Sequence, residues 1–352
     1  MKKSLIALAA LMAAGAASAQ SSVTLFGIVD AAISRYSVSN GQHLTAMSNS
    51  GYNSSRLGFR GTEDLGGGMS ASFWLEAQLA NDDGNATGFN FQRRSTVSLA
   101  GNWGELRLGR DYVPTFWNLT VFDPFGTVGV GAAVTLRSKT ALNSGLGGTG
   151  LANSTAIRAS NMVGYFLPAN LGGFYGQVNY AFDEVVGSQK TGRYVGGRAG
   201  YATGPFNVAL AYGKTDGSSP AVAATPDIRT WNIGGQWDFG MAKLLGQYDN
   251  SKYEIAGADG TVKSWLIGGL VPVGPGEVRL SYGQAKLSTA GNPKSSQWAL
   301  GYVHNLSKRT ALYATYAHVS NKNGAAITVG GGVAPIANES SSGFDLGIRH
   351  SF

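Results

Sequence analysis

The most chemically pointed residues in this sequence are arginines set inside segments of alternating polarity. In "SSRLGFRG", Leu57 and Phe59 share one face of an extended strand and Arg56 and Arg60 the other. In "QRRSTVSL", Arg94 opposes Val97 and Leu99, whereas Arg93 falls on their side, where a charge needs a partner such as a subunit contact. "IRASNMVGYF" sets Arg158 opposite Val163 and Tyr165 unless a bulge turns it over. Arg107 alternates in the same sense. A guanidinium carries a permanent charge and a planar fork that grips carboxylate or phosphate. Several of them around a watery passage would concentrate anions and repel cations. Asp111 and Asp123, with Glu76 and Asp30 on neighbouring polar faces, are the candidates for an acidic wall across from them.

Catalysis has little to work with. The absence of cysteine removes thiol chemistry, disulfides and cysteine-based zinc sites. His43 sits in an expected loop and His350 on the apolar face of the last strand, and neither G-x-S-x-G nor H-E-x-x-H occurs. "GTVGVG" is not followed by Lys-Ser or Lys-Thr, so it is no phosphate loop. No catalytic residue, metal or cofactor is expected, and the chain does not read as an enzyme.

The elements that must hold these arginines are strands. Val23, Leu25, Val29 and Ile33 share a face in "SSVTLFGIVDAAI", and Phe73 and Leu75 oppose Trp74 and Glu76 in "MSASFWLEAQL". Similar alternation recurs to the end, where Phe344, Leu346, Ile348, His350 and Phe352 line one side of "GFDLGIRHSF". The segments amount to about sixteen strands. Short turns such as "EDLGGG" and "GNWGE" alternate with long polar segments at 37–51, 81–90, 112–155, 217–227, 289–295 and 321–341. That rhythm is an antiparallel up-and-down meander, and a sheet of this size must close to protect its edges. The first and last strands are both strong enough to pair with each other. A barrel so wide cannot fill its interior with side chains, so the polar faces line water and the apolar faces meet lipid. A propeller would show repeats of about 40 residues, which are absent.

The expected organisation is therefore all-β: one transmembrane barrel over residues 20–352, preceded at 1–19 by a cleaved secretory signal. The signal has Lys2 and Lys3, an apolar run from Leu5 and the small triplet Ala17-Ser18-Ala19. Removing the two lysines lowers 27 basic residues to 25 against 20 acidic ones, a net charge of +5. That mild excess is no nucleic-acid footprint.

The sequence also resembles the Gram-negative general porins, specifically the trimeric sixteen-stranded type of beta-proteobacteria. The segments that carry the resemblance are "SSVTLFGIVDA", "SRLGFRGTEDLGGGMSASFWLEAQL", "FQRRSTVSLAGNWGELRLGRDY" and the terminal "GIRHSF". It implies a multi-pass protein of the outer membrane, a homotrimer in contact with membrane lipid and lipopolysaccharide. It implies that the third long loop, containing "FDPFGTVGVGAAV", folds into the pore as a constriction, which glycines 126, 129 and 131 permit. A basic ladder of Arg56, Arg94 and Arg158 is carried over, and Phe352 is expected to serve as the signal read by the outer-membrane assembly machinery. The implied function is passive diffusion of small anions and hydrophilic solutes, weakly anion-selective. The alternative is a substrate-specific channel for sugars or organic acids, with Trp74 and Tyr175 as inward aromatics.

Overall fold

A computed structural model describes residues 22–84, 89–134, 136, 155–183, 186, 192–217, 227–255 and 258–352. The signal expected at 1–19 lies outside the described residues. Among the described residues there are seventeen strands: β1 (Ser22–Val38), β2 (His43–Asn49), β3 (Arg56–Gly66), β4 (Met69–Gln78), β5 (Arg94–Gly101), β6 (Gly104–Tyr112), β7 (Arg158–Phe166), β8 (Phe174–Ala181) and β9 (Tyr194–Thr203). They continue as β10 (Phe206–Thr215), β11 (Asp227–Asp238), β12 (Lys243–Ile255), β13 (Ala258–Val273), β14 (Gly276–Leu287), β15 (Lys294–Asn305), β16 (Thr310–Lys322) and β17 (Ser341–Ser351). After β6 comes the helix α1 (Pro114–Val121), started by a proline whose missing N–H costs nothing in a first turn.

Neighbouring strands pair antiparallel in chain order, and β1 closes the ring on β17, with Ile28 opposite Ser351 and Val38 opposite Ser341. Phe352 extends this seam: its N–H donates to the Gly27 carbonyl and its carbonyl accepts from the Gly27 N–H, both at 3.1 Å. Its ring lies where a Cβ on residue 27 would come within 2.4 Å of Cζ, so glycine alone fits there. The alternation expected from the sequence is present. Val97, Leu99, Leu210, Ile233, Leu280, Leu300 and Leu346 are exposed on the outside. Their neighbours Ser98, Ala209, Asn232, Ser281, Ala299 and Asp345 are buried towards the inside. An outward row of aromatics spans adjacent strands, with ring centroids 5.4 Å apart for Trp231 and Tyr248, 5.5 Å for Trp265 and Tyr282, and 5.2 Å for Trp298 and Tyr316. Such rows seat at the membrane interface.

Seventeen strands make sixteen staves because β2 and β3 are halves of one. Residues 31–37 of β1 pair with β2, and residues 22–28 pair with β3. His43 thus opens a strand that the sequence had suggested was loop. The cause of the break is Asp30, which is fully buried. Its carboxylate accepts from the backbone N–H of Gly51 at 3.2 Å and Tyr52 at 2.9 Å, and from the Asn53 N–H and the Tyr313 hydroxyl. Ser55 adds a hydroxyl that accepts from the Asp30 N–H at 2.9 Å. The segment 50–55 is therefore drawn out of the sheet, and β3 restarts with Arg56 at its upper end. Asp30→Asn should cost about 2 kcal/mol, since an amide offers weaker acceptance to these donors. The expected readout is a lower conversion temperature from the compact to the unfolded band in detergent electrophoresis. An unchanged temperature would remove Asp30 as the keystone.

Candidate functional site

The segment after β6 turns into the barrel and follows the inner wall. Almost every stave it crosses offers it a polar group. Asn118 Nδ2 donates to the Ala209 carbonyl at 3.0 Å on β10, and Asn232 Nδ2 on β11 to the Thr115 carbonyl at 3.0 Å. Gln247 on β12, Arg279 on β14 and Gln297 on β15 donate to the carbonyls of Leu119, Pro124 and Val130 at 3.4, 3.2 and 3.3 Å. The Val130 N–H then donates to Asp345 on β17 at 3.1 Å.

Beneath the loop the wall is cut away. A Cβ at Gly234 would lie 2.1 Å from Phe122 Cδ2, one at Gly268 2.5 Å from Pro124 Cγ, and one at Gly343 2.8 Å from Val130 Cγ1. Inward glycines on β11, β13 and β17 thus form a bed for three loop side chains. The turns themselves use left-handed backbone at Gly126, Thr127 and Gly129. Gly131 has a different reason to be glycine, because a Cβ there would meet the Phe125 ring at 2.5 Å. The segment between β16 and β17 also enters the lumen. Ile327 and Val329 are fully buried in one cluster with Tyr36 and Val130.

What stays open is a cavity of about 940 Å³ between the loop edge and the opposite wall. Trp117, Thr120, Gly126, Thr127 and Val128 line it from the loop, and Arg56, Arg93, Tyr112 and Arg158 from the strand wall, together with Asp82 and Asp83 from the segment after β4. The described residues of the loop edge carry no charge. The strand wall carries many, in pairs that leave an excess of positive charge. Glu76 accepts from Arg93 Nε at 2.6 Å and from Arg56 Nη1 at 3.3 Å. Asp111 accepts from Arg107 Nη1 at 2.6 Å and lies 3.6 Å from Arg94 Nε. Glu105 holds Arg107 from the other side at 2.8 Å. Arg158 has no carboxylate among the described residues: its Nε donates to the Arg93 carbonyl and its guanidinium lies 4.4 Å from the Tyr112 ring. Of the charged residues that line the cavity, Arg56, Arg93 and Arg158 stand with Asp82 and Asp83, three positive against two negative, or +1; deeper in the wall Arg60, Arg94 and Arg107 stand with Glu76, Glu105 and Asp111, three against three.

The sequence-based expectations meet this geometry unevenly. Arg56 and Arg158 line the cavity together. Arg94 is inward but sits lower, over the Trp74 ring at 4.5 Å. Arg93 was expected to face outward; it is buried in the lumen wall, because it precedes β5 and strand alternation does not extend to it. Arg158 lies beyond a register shift between Gly109 and Asp111, and it reaches the cavity by crossing Tyr112. The acidic residues do not form an opposing wall. Glu76 and Asp111 are on the arginine side, where buried carboxylates find the partners they require. Asp123 turns back into its own loop, accepting from the Phe125 N–H at 2.9 Å and the Ala133 N–H at 3.3 Å. Trp74 and Tyr175 are inward yet covered by guanidinium groups, Arg60 and Arg94 on the first and Arg198 on the second. No free aromatic track for sugars results from these two rings.

Loop placement yields a direct test. Gly234→Val should force Phe122 off the wall and into the lumen, lowering single-channel conductance and costing about 1–3 kcal/mol of stability. Gly235→Val, where the nearest atom to a new Cβ is 3.5 Å away, should change neither. Equal conductance in both variants would mean that the loop does not rest on this glycine.

Comparison with known proteins matches this architecture. Residues 5–324 match the family model described as Gram-negative porin. Over the full length of both chains, the sequence is 46% identical to outer membrane porin protein 32 of Delftia acidovorans and 32% identical to an outer membrane porin protein of Bordetella pertussis. The solved anion-selective porin from Comamonas acidovorans superposes with a TM-score of 0.85 at 42% identity, covering 95% of this chain and 100% of that one. The trimer form of Vibrio cholerae OmpT shares the fold at a TM-score of 0.63 and 14% identity, over 94% of this chain and 99% of that one.

Proposed function

This chain belongs to the Gram-negative porin family, and from that premise we propose that its outer-membrane channel prefers anions because Arg56, Arg93 and Arg158 face a neutral loop edge. The observation that carries the reading is this asymmetry: the strand wall presents Arg56, Arg93 and Arg158 to the cavity, with Asp82 and Asp83 also lining it, across from a described loop edge without charge. An anion entering between them is attracted to one side without being repelled from the other. Low-dielectric walls on both sides strengthen that field. Small hydrophilic solutes pass by diffusion, and no catalytic reaction is assigned.

Arg94 has a lesser role in this reading than Arg56 and Arg158. Its charge is offset by Asp111 beside it, which is also held by Arg107. Asp111 and Glu76 serve to fix arginine positions, and Asp123 to fix the loop. Residues 1–19 are read as a leader removed before Gln20, on the strength of its lysines, apolar run and small triplet. Phe352, paired both ways with Gly27 at the seam, is read as the end that the assembly machinery recognises. A homotrimer is supported by the outer surface. The outward aromatic row runs through Tyr212, Trp231, Trp265, Trp298 and Phe344 and is not continued by Val29, Ile33, Met47, Val97 and Leu108. That sector of β1–β6, mostly aliphatic with Phe59 and Phe73 among its residues, suits a neighbouring subunit.

The test compares charge-neutralised variants in planar bilayers. Arg56→Gln with Arg158→Gln leaves Glu76 paired with Arg93, so the fold is retained. Its reversal potential across a salt gradient should move strongly towards cations, whereas Arg94→Gln alone should move it less. A wild-type reversal potential in the double variant would discard the wall assignment.

A further inference from the structure

We infer that Arg60 forms a second anion station, on the periplasmic side of the constriction, that takes small oxyanions through its guanidinium fork. The inference rests on the reading of the lumen as an anion pathway and adds a site to it. Arg60 follows Arg56 on the same face of β3, four residues nearer the tight turn to β4. Tight turns mark the periplasmic end of such barrels. At about 3.3 Å per residue the two arginines are about 13 Å apart along the strand.

Arg60 differs from the other wall arginines in how it is held. Arg56, Arg93, Arg94 and Arg107 each have a carboxylate, and Arg158 donates to a carbonyl. Arg60 is exposed and, among the described residues, has neither a carboxylate nor a hydrogen-bond acceptor. Two rings position it instead: its guanidinium carbon lies 5.3 Å from the Phe26 centroid and 5.2 Å from that of Trp74. The rings meet edge to face at 4.9 Å, and Trp74 is fixed further by donating its Nε1–H to Glu76 at 3.2 Å.

A cation held by ring faces keeps its in-plane N–H donors free. A carboxylate or phosphate presents two oxygens at the spacing those donors match. Arg94, which shares the Trp74 ring, adds positive charge nearby, and the adjacent carboxylates Glu76 and Asp111 are each engaged by two arginines. Two stations in series suit conduction, because an ion bound at one must be able to leave for the next.

Inorganic phosphate is the probe. Chloride current through the purified channel is titrated with phosphate, added to each side of a planar bilayer in turn, with the reversal potential recorded in the same membranes. Arg60→Lys keeps the charge and loses the planar fork. It should leave the chloride reversal potential unchanged and raise the phosphate concentration that halves the current several-fold. Arg60→Gln should raise that concentration as well and, having lost the charge, also lower conductance at low salt and move the chloride reversal potential slightly towards cations. Wild-type phosphate inhibition in both variants would overturn the station. So would inhibition that is abolished by Arg56→Gln with Arg158→Gln but untouched by Arg60→Lys, since phosphate would then sit at the constriction. Failure of the pathway reading itself registers separately, as a wild-type reversal potential that does not favour chloride.

Discussion

Backbone pairing in hydrocarbon governs everything else in this molecule. An unpaired N–H or C=O in the bilayer core costs several kcal/mol, so a spanning sheet is viable only when closed. Here closure is the β1–β17 seam, extended by Phe352 onto Gly27. Closing sixteen staves leaves an interior too wide for side chains to fill, so it must hold water or chain. The segment after β6 and the segment between β16 and β17 supply chain. Glycines and polar side chains on the far staves fix where that chain lies, and the open passage is displaced onto β3–β7. The charged wall therefore faces the passage because the loop occupies the other side.

Charge on that wall follows from a second constraint. Arginines this close together need partial neutralisation, and buried carboxylates need cations. Glu76 and Asp111 meet both needs by sitting between two arginines each. The same pairing that stabilises the wall also holds Arg56 and Arg93 at the edge of the cavity. A carboxylate on the loop edge would have cancelled the effect, and Asp123 is turned into its own loop instead. Selectivity in such a site belongs to the arrangement rather than to the net charge of the chain.

Regular strands made much of this legible in the sequence. Arg56 and Arg60 were assigned to the lumen by counting from Leu57 and Phe59, because β3 is uninterrupted between them. Counting failed where regularity fails. It missed Arg93, which precedes β5, whereas Arg158 lines the cavity as counted although a register shift separates it from the residues that define its face. The break between β2 and β3 depends on Asp30, whose partners at 51–53 and 313 are distant in sequence, so no local pattern announces it. Asp123 looked available because a loop carboxylate is usually solvated. The inward glycines at 234, 268 and 343 were visible as letters, but their purpose appears only with Phe122, Pro124 and Val130 lying on them. The segment 321–341 reads as a polar loop in the sequence, and the burial of Ile327 and Val329 against Tyr36 and Val130 appears only in the structure.

The central claim is that a fixed positive wall opposite a neutral loop sets the ion preference, and the reversal potential of the unmodified channel tests it most directly. It would be measured across a tenfold potassium chloride gradient, first at low and then at high ionic strength. The account predicts a chloride-favouring potential at low salt that shrinks as the Debye length falls to about 3 Å near 1 M. A cation-favouring potential, or none at low salt, would contradict it.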